Sequence, residues 1–376
     1  MASRLEQYLL SVIAEPGRPG QPASLLRGLL GGCAGLYDVG LEAYLAGETL
    51  GLRRREYLPI PVISIGNLTV GGTGKTPMTQ WLCRRLQTEG KCVAVLSRGH
   101  GGEGQSVRLV SDSQGLVLLT ASEAGDEPLL LAMTLPGVPV LVGKDRCQSG
   151  REAMRRFALD ALVLDDGFQF WQLARSLDLV LLDAKRPFDN GFPLPRGLLR
   201  EPMRHLSRAG IVVATRAGSL SEAERESLAA RVGGLAPDAP LYFADHRAAG
   251  FVPADDLTAP LLPLDMLAGQ PIFAVSAIAQ PEAFRRTLEQ EARAQVLCLQ
   301  AWDDHHKFTP VQVQEVMQSA VTLGAEAVLM TEKDAVKWPF LNSPERLPTY
   351  ALRIEMVIEN EAGFLKDVGR VLKQSL

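Results

Sequence analysis

From residue 61 to residue 76 the chain reads PVISIGNLTVGGTGKT. Its first five residues are continuously apolar or β-branched, which is typical of a strand covered on both faces. A glycine-rich turn follows, and a helical pattern with apolar Met78 and Leu82 begins at Thr76. A strand, a glycine-rich turn and a helix in this order form the context that a phosphate-binding P-loop requires. The stretch therefore predicts an α/β domain that binds a nucleotide.

The turn itself carries groups suited to phosphate. Glycine lets the backbone N–H groups point inward at the helix N-terminus, where they form an anion cradle. Lys75 would reach the β- and γ-phosphates as a catalytic cation, and the Thr76 hydroxyl is placed for Mg²⁺. The common P-loop pattern begins with glycine, whereas this chain has threonine at that position. The predicted nucleotide-binding residues are Thr69, Val70, Gly71, Gly72, Thr73, Gly74, Lys75 and Thr76.

Short apolar strands alternate with helical patterns along the rest of the chain. Alternation of this kind favours a parallel α/β sheet, here a P-loop NTPase-like sandwich. The predicted strands are 61–65, 92–96, 138–142, 161–164, 179–182, 211–214, 272–275, 295–298 and 327–330. The predicted helices are 76–89, 126–135, 150–157, 221–232, 281–290, 310–323 and 361–374.

Residues 250–270 interrupt this rhythm. They are rich in proline and lack periodicity, which indicates a linker or a loop-rich edge. We therefore predict an N-terminal amphipathic segment (1–55), a P-loop domain (56–250) and a smaller C-terminal α/β domain (251–376).

The composition argues against several classes of protein. The chain has 376 residues, with 43 acidic and 39 basic side chains and a formal net charge of −4. Proteins that bind nucleic acid through its phosphates are usually basic, so we expect no nucleic-acid partner. The five cysteines form no CxxC pair, which argues against a zinc site or a disulfide framework. The same cysteine pattern predicts reduced thiols in a cytosolic protein. No apolar run is long enough to span a bilayer, and residues 1–20 lack a secretory-signal pattern.

Two neighbouring acids follow a second buried strand. Asp165 and Asp166 end the sequence ALVLDDG, the form expected for carboxylates that hold Mg²⁺ beside a P-loop. The alternative is a strand-end turn capped by aspartates. Asp183 ends a strand of the same shape and competes for the role.

A base for an attacking hydroxyl has two candidate sources. Asp126 opens a helix, where it is either an ordinary N-cap or a carboxylate that accepts a proton. His305 and His306 lie beside two aspartates in a loop that precedes a helix. An aspartate–histidine pair is a common way to tune a base.

Other polar segments have weaker signals. Arg98 follows a strand, and Arg196 and Arg200 lie in a proline-rich loop, so they are candidates to bind a substrate phosphate or are solvated surface charges. Residues 331–337, TEKDAVK, superficially resemble the base-reading motif of GTPases, but lysine and aspartate stand in a different order.

Residues 24–52 form an amphipathic helical pattern followed by three arginines. Leu25, Leu29 and Leu36 belong to its apolar stripe, with Asp38 and Glu42 on the other face. The stripe either packs on the protein's own domain or rests in a membrane surface with the arginines near anionic headgroups.

Taken together, these segments resemble one family, the tetraacyldisaccharide 4'-kinases, or lipid A 4'-kinases. The similar segments run in order from about residue 20 to residue 340. They are residues 69–76, 97–102, 125–128, 144–146, 165–169, 190–202, the region around His305 and residues 331–337.

The resemblance implies an enzyme that uses ATP and Mg²⁺. It would phosphorylate the 4'-hydroxyl of tetraacyldisaccharide 1-phosphate, giving lipid IVA, at the cytoplasmic face of the inner membrane of a Gram-negative-type bacterium. Its partners would be this membrane lipid and the inner-membrane surface, with no protein partner predicted. The resemblance also implies that Asp126 and His305 form the catalytic dyad, with His305 preferred to His306, and that the N-terminal helix touches the membrane.

The chain departs from the family pattern at three places. It reads DDGFQF at 165–170, where the family usually has DDGLQH, so Phe170 replaces a polar ring. It reads LPRGLLREP at 194–202 in place of LPAGPLREP, and Ala277 replaces a glycine. These differences concern substrate preference more than the reaction.

Two alternatives from other classes are weighed against this interpretation. A GTPase-like switch or metallochaperone would need a guanine reader and a metal-ligand cluster, and the sequence shows neither. A P-loop kinase for a soluble metabolite would not need residues 24–52.

Overall fold

The structure, a computed structural model, describes residues 22–52, 54–99, 106–340 and 347–374. Arg53, His100, Gly101 and Gly102, which belong to segments singled out above, lie outside the described residues, as do residues 1–21.

Strands and helices alternate as the sequence predicts. The strands are β1 (Val62–Asn67), β2 (Val93–Ser97), β3 (Arg108–Ser111), β4 (Val140–Val142), β5 (Ala161–Asp165), β6 (Leu177–Asp183), β7 (Ile211–Thr215), β8 (Leu241–Pro253), β9 (Pro271–Ser276), β10 (Gln295–Ala301), β11 (Ala327–Thr331) and β12 (Thr349–Ile358). The α-helices are α1 (Pro22–Thr49), α2 (Lys75–Thr88), α3 (Ala121–Ala124), α4 (Asp126–Thr134), α5 (Arg146–Arg156), α6 (Glu222–Leu235), α7 (Pro281–Gln290), α8 (Pro310–Thr322), α9 (Glu332–Ala335) and α10 (Glu361–Gln374).

The chain divides into two compact units, and β8 and β12 contribute residues to each. The first unit comprises the described parts of residues 1–75, 160–245 and 357–376. Its strands lie in the order β5-β1-β6-β7-β8 and every pair is parallel. Strand β1 is buried at all six positions, which explains its continuous apolar sequence. A core that includes Leu68, Phe168 and Phe188 packs on this sheet.

The second unit comprises the described parts of residues 76–159 and 246–356. Its strands β10, β9, β11 and β12 lie in that order, and neighbouring strands are parallel. Strands β2 and β4 are also parallel, whereas β3 pairs with β4 antiparallel. Two buried clusters cover β9 and β11, one including Phe273, Val316 and Trp338, the other including Phe284 and Leu329. The predicted fold class, a P-loop-type parallel α/β protein with an N-terminal helix, is confirmed.

Three strands, β3, β8 and β12, were not predicted. Strand β8 contains Asp245, His246 and Arg247, and β12 contains Arg353 and Glu355, so neither has the continuous apolar run used to find the others. Strand β8 also corrects the extent of the loop predicted for 250–270, because regular structure continues to Pro253.

Helix α1 contacts the rest of the first unit through acidic side chains. Asp38 and Glu42 pair with Arg204, and Glu42 also contacts His205. Leu25, Leu29 and Leu36 are 79%, 69% and 76% exposed. These three leucines are therefore not packed on the protein's own domain, whereas Leu26, Leu30, Leu41 and Leu45 of the same stripe are half-buried. Among the described residues, no helix is both long enough and apolar enough to cross a bilayer.

Candidate active site

The P-loop connects the end of β1 to the start of α2. Gly71 and Gly74 have φ values of +117° and +88°, which side-chain-bearing residues rarely adopt. A Cβ built on Gly71 or Gly72 would meet no atom within 4 Å, so space is open around this part of the turn. The loop is thus shaped to accept a ligand at the N-terminus of a helix, where backbone N–H groups favour an anion.

The donors around the P-loop suit a phosphate. The Lys75 ammonium lies 3.3 Å from Asn67 Oδ1 and 3.8 Å from Asp166 Oδ1. Asn67 Nδ2 and Thr73 Oγ1 are buried without a hydrogen-bond partner among the described residues. Buried donors of this kind normally find an acceptor. An oxygen-rich triphosphate fits this set of groups.

The end of β7 holds the loop from the side. Thr215 Oγ1 donates to the Thr73 carbonyl at 3.0 Å, and Arg216 donates to the Gly72 carbonyl at 2.7 Å. Arg216 also pairs with Asp183. Asp183, the competitor for the metal role, is therefore engaged in an ion pair with the arginine that supports the loop.

The two acids predicted to hold Mg²⁺ follow β5, the neighbour of β1. Register pairs Ile65 with Asp165, so the acids emerge beside the start of the P-loop. Gly66 allows this approach, because a Cβ there would lie 2.5 Å from Phe168 Cβ. Asp165 is buried, and Asp166 has φ of +53°. Carboxylate and hydroxyl oxygens are the ligands that Mg²⁺ prefers.

Arg200 contacts the second of these two acids, Asp166. Its Nη1 is 2.9 Å from both carboxylate oxygens of Asp166 and 3.3 Å from Gln169 Oε1. The Arg200 N–H also donates to the Leu68 carbonyl at 2.7 Å, which ties this loop to the P-loop. Within the first unit, the structure thus brings Lys75, Asp166 and Arg200 together.

No group of three or more His, Cys, Asp or Glu side chains that could hold a metal occurs among residues 22–52, 54–99, 106–340 and 347–374. A Mg²⁺ ion that takes much of its shell from phosphates and water needs only one or two carboxylates.

Asp126 lies in the second unit, and it is not the N-cap of its helix. Gly125 holds that position with φ of +90° and ψ of 157°, and Asp126 is the first residue of α4. No side-chain cap hydrogen bond forms at this helix start. The carboxylate instead lies 3.2 Å from His305 Nδ1, through its Oδ2 atom.

His305 reaches Asp126 from a loop before α8. Its backbone φ is +63°, a conformation that is uncommon outside glycine and is found more often at functional positions. The His305 side chain is 53% exposed, whereas that of Asp126 is only 12% exposed. The pair thus has one accessible partner and one sheltered partner.

His306 has different surroundings. It stacks on Trp302 with ring centroids 5.7 Å apart, packs edge-on against Phe308 and contacts Gln312 Oε1 at 3.1 Å. These contacts are those of a packed structural side chain. Of the two histidines, only His305 meets Asp126 among the described contacts.

Two lysines of the TEKDAVK segment, Lys333 and Lys337, contact His305 and Asp126 respectively. Asp334 is fully buried and accepts hydrogen bonds from the Ala277 N–H at 3.2 Å and from the Thr331 hydroxyl at 2.7 Å. Burial raises the pKa of Asp334, and these hydrogen bonds and Lys337 only partly offset it. Lys337 contacts both Asp334 and Asp126. An aspartate engaged in this way is not placed to read a guanine base.

Asp304, next to His305, is held by Lys333. Its burial, the largest single influence, acts to raise the pKa of Asp304. The hydrogen bond and charge of Lys333, together with His305, outweigh burial and lower it. Asp304 is thus favoured as an anion.

The remaining predicted substrate residues are less constrained. The guanidinium carbon of Arg196 lies 4.9 Å from the centroid of the Phe192 ring. Arg98 follows β2 and is exposed. Sequence reasoning missed Arg216 and Lys337. Arg216 follows the carboxyl end of a parallel strand, the edge where ligands bind in such sheets, and that position was the available signal.

Comparisons with known proteins identify a family for the chain. The family model for LpxK, tetraacyldisaccharide-1-P 4'-kinase, matches residues 26–373. A tetraacyldisaccharide 4'-kinase of Anaeromyxobacter sp. (strain Fw109-5) is 44% identical over 319 residues, covering 85% of this chain and 84% of that protein. The protein of the same name from Syntrophus aciditrophicus (strain SB) is 41% identical over 332 residues, covering 86% and 87%.

A solved structure is similar over nearly the whole chain. It is the crystal structure of "apo" form LpxK from Aquifex aeolicus in complex with ATP, with a TM-score of 0.74 and 28% identity. It covers 92% of this chain and 99% of that one. On the strength of the family match and these relatives, the chain belongs to the tetraacyldisaccharide-1-P 4'-kinase family.

Proposed function

We propose that this protein is an ATP-dependent kinase that phosphorylates the 4'-hydroxyl of tetraacyldisaccharide 1-phosphate to give lipid IVA in lipid A biosynthesis. Membership of the family supports the reaction. The observation that carries the mechanism is the 3.2 Å contact between Asp126 and His305, which joins residues 179 positions apart. A carboxylate oriented by a histidine is suited to take a proton from an attacking alcohol.

The P-loop residues 69–76 bind the ATP phosphates in this proposal. Lys75 interacts with the β- and γ-phosphates and spreads the charge that builds up during transfer. Thr76, Asp165 and Asp166 would hold Mg²⁺, which, when bound, neutralises phosphate charge. Thr215 and Arg216 keep the loop shaped by hydrogen bonds to the Thr73 and Gly72 carbonyls.

Asp126 serves as the general base, and His305 orients it. The sugar hydroxyl gives its proton to the Asp126 carboxylate as its oxygen attacks the γ-phosphorus. His306 has no part in this step, because it is packed among Trp302 and Phe308.

Arginines are proposed to recognise the phosphate already on the substrate. Arg98, Arg196 and Arg200 are the candidates. The Arg200 guanidinium is paired with Asp166 in the structure, so its charge is already partly balanced.

The N-terminal helix is proposed to bring the enzyme to the cytoplasmic face of the inner membrane. Its support is the orientation of α1, whose acidic side chains bind Arg204 while Leu25, Leu29 and Leu36 are exposed. An exposed leucine stripe can enter the interface between headgroups and acyl chains. We retain the division into residues 1–55, 56–250 and 251–376 as a functional proposal, with the first part serving membrane association.

The alternatives are not favoured. The fully buried Asp334 accepts hydrogen bonds from its own unit, which disfavours the guanine reader of a GTPase-like switch. A kinase for a soluble metabolite leaves the exposed stripe of α1 without a purpose.

Phosphate transfer to a lipid tests the proposal. The full-length protein is incubated with γ-labelled ATP and monophosphorylated tetraacyl disaccharide in mixed micelles, and with a deacylated disaccharide as the comparison acceptor. We expect labelled bisphosphorylated lipid with the first acceptor and at most trace transfer to the second. Equal transfer to both would contradict a membrane lipid as the substrate.

Asp126→Ala tests the base. Removal of a general base should lower kcat by about 10²–10⁴-fold while ATP binding survives. Glu127→Gln, one residue further along the same helix, is the matched control and should retain activity. A kcat for Asp126→Ala within a few-fold of wild type would show that Asp126 is not the base.

A further inference from the structure

Lys337 is a buried cation that the mechanism above does not use. Its side chain is 2% exposed, and its Nζ lies 3.4 Å from Asp126 Oδ2 and 3.6 Å from Asp334 Oδ1. The ammonium makes no shorter hydrogen bond within the part of the chain that the structure describes. Burying a charge is costly unless it is paired, so these two carboxylates are what balance it.

The local fold fixes Lys337 in this position. Thr331 caps α9 by accepting from the Asp334 N–H, and Asp334 is anchored in turn by the Ala277 N–H. The backbone remains helical at Val336, and the Lys337 N–H donates to the Asp334 carbonyl. Lys333 and Lys337 are therefore one helical turn apart, and side chains at this spacing lie on the same side.

Lys333 meets the other end of the pair. Its Nζ lies 2.9 Å from Asp304 Oδ1 and 3.4 Å from His305 Nε2. A lysine ammonium only donates, so His305 Nε2 is the acceptor in this contact. In a neutral ring with Nε2 as acceptor, the hydrogen is on Nδ1, which donates it to Asp126 Oδ2 at 3.2 Å.

Both contacts of the Asp126 carboxylate fall on one oxygen. Oδ2 faces His305 Nδ1 and Lys337 Nζ, whereas Oδ1 accepts no side-chain hydrogen bond among the described residues. A carboxylate held through one oxygen presents the other in a fixed direction. Oδ1 is thus the oxygen left for an incoming hydroxyl.

We propose that Lys337 and Lys333 are positioning residues that hold Asp126 and His305 from opposite ends, so that Asp126 Oδ1 receives the proton of the attacking hydroxyl. This inference rests on the proposed kinase function. In the step, the sugar oxygen forms a bond to the γ-phosphorus while the bond from that phosphorus to the ADP oxygen breaks. The hydroxyl proton passes to Asp126 Oδ1 and is later released to water.

A double-mutant cycle separates positioning from general stability. In the full-length enzyme, Lys337→Met should lower kcat about tenfold or more with the KM for ATP within about twofold. In an Asp126→Asn background, the same change should lower kcat by less than about twofold, because Lys337 acts through the missing carboxylate. Lys307→Met, which removes an exposed lysine from the His305 loop, is the matched control and should behave like wild type.

The opposite result is equally clear. If Lys337→Met lowers kcat by the same factor in both backgrounds, Lys337 does not act through Asp126 and the proposal is wrong. Should Lys337→Met fail to fold, Lys333→Gln gives the test. It should lower kcat about threefold or more in wild type and leave it unchanged in a His305→Ala background, and equal losses would overturn the proposal.

The failure of this inference differs from failure of the proposed function. If Asp126→Asn alone keeps kcat within a few-fold of wild type, the base assignment itself is wrong. If Asp126→Asn is severely impaired while Lys337→Met and Lys333→Gln are both neutral, only the positioning role is lost.

Discussion

The hydroxyl of Tyr37 donates a hydrogen bond of 2.8 Å to the carbonyl oxygen of Arg200. Tyr37 belongs to α1, the helix with the exposed leucines. The Arg200 side chain pairs with Asp166, a candidate metal ligand. Arg200 therefore contacts both the proposed membrane helix and the acidic residue that follows β5.

The exposed stripe of α1 gives the first prediction. Leu29→Glu together with Leu36→Glu should reduce binding to anionic phospholipid vesicles, because charge replaces apolar surface at the interface. Co-sedimentation with vesicles measures the effect. Val321→Glu together with Leu323→Glu, at exposed apolar positions near the end of α8, should leave binding unchanged. Unchanged sedimentation of the α1 variant would argue that this face does not contact the bilayer.

His205, which contacts Glu42 of α1, should make the stability of the fold depend on pH. His205 lies 2.8 Å from Glu201 and 2.9 Å from Glu42, with Arg208 and the Trp171 ring also facing it. The hydrogen bond to Glu201 is the largest cause that raises the pKa of His205 above 6.5, followed by the opposing effect of burial and the contribution of Glu42.

The sign of the effect follows from that direction. A folded-state pKa above the unfolded value stabilises the protein fully below about pH 6.5 and loses that contribution as the pH rises through the folded value. The difference in Tm between wild type and His205→Gln should therefore be larger at pH 6 than at pH 9. A Tm difference that is constant across this range would show that the charge of His205 does not stabilise the fold.

Arg216 should affect nucleotide binding more than chemistry. Arg216→Met removes the hydrogen bond to the Gly72 carbonyl and the ion pair with Asp183, so the P-loop loses support. We expect the KM for ATP to rise about tenfold with a smaller change in kcat. Arg370→Met, which removes an exposed ion pair with Asp367, is the control. A normal KM for ATP in Arg216→Met would mean that the loop keeps its shape without this side chain.

Gly66 should tolerate no side chain. In Gly66→Ala the new Cβ would lie 2.5 Å from Phe168 Cβ and 2.8 Å from the Phe168 nitrogen, so backbone must move. Overpacking of this kind costs about 1–3 kcal/mol, which urea unfolding can measure.

Gly233 in α6 supplies the matched comparison, since a Cβ there meets nothing within 4 Å. Gly233→Ala should raise the free energy of unfolding by about 0.5–1 kcal/mol, because alanine is the better helix former. If the two substitutions had the same effect on the free energy of unfolding, the close contact with Phe168 would not be the reason that residue 66 is glycine.

The strands that flank the P-loop could be predicted because burial on both faces leaves a continuous apolar sequence, as in β1 and β5. Strand β12 carries Arg353 and Glu355, and Arg353 is satisfied by Glu332 at 2.7 Å. A pairing of that kind depends on tertiary structure, so local sequence gives no sign that these charges belong to a strand.

The candidate site likewise contains a part that the local sequence predicts and a part that it does not. The P-loop is recognisable because its chemistry lies within eight consecutive residues. Asp126 and His305 were paired only through the family resemblance, since periodicity does not specify a contact across 179 positions. Lys337 was visible as a residue but not as a neighbour of Asp126, because its direction depends on how Asp334 is anchored.

Gly125 stands immediately before Asp126 with a backbone conformation, φ +90° and ψ 157°, that is essentially restricted to glycine. Any other amino acid at this site would strain the peptide that starts the helix, and the neighbouring acid would turn with it. A genetic selection for loss of activity should thus recover substitutions of Gly125, although glycine itself has no side chain that could take part in the reaction. The loss of activity would then reflect a changed direction of the Asp126 side chain.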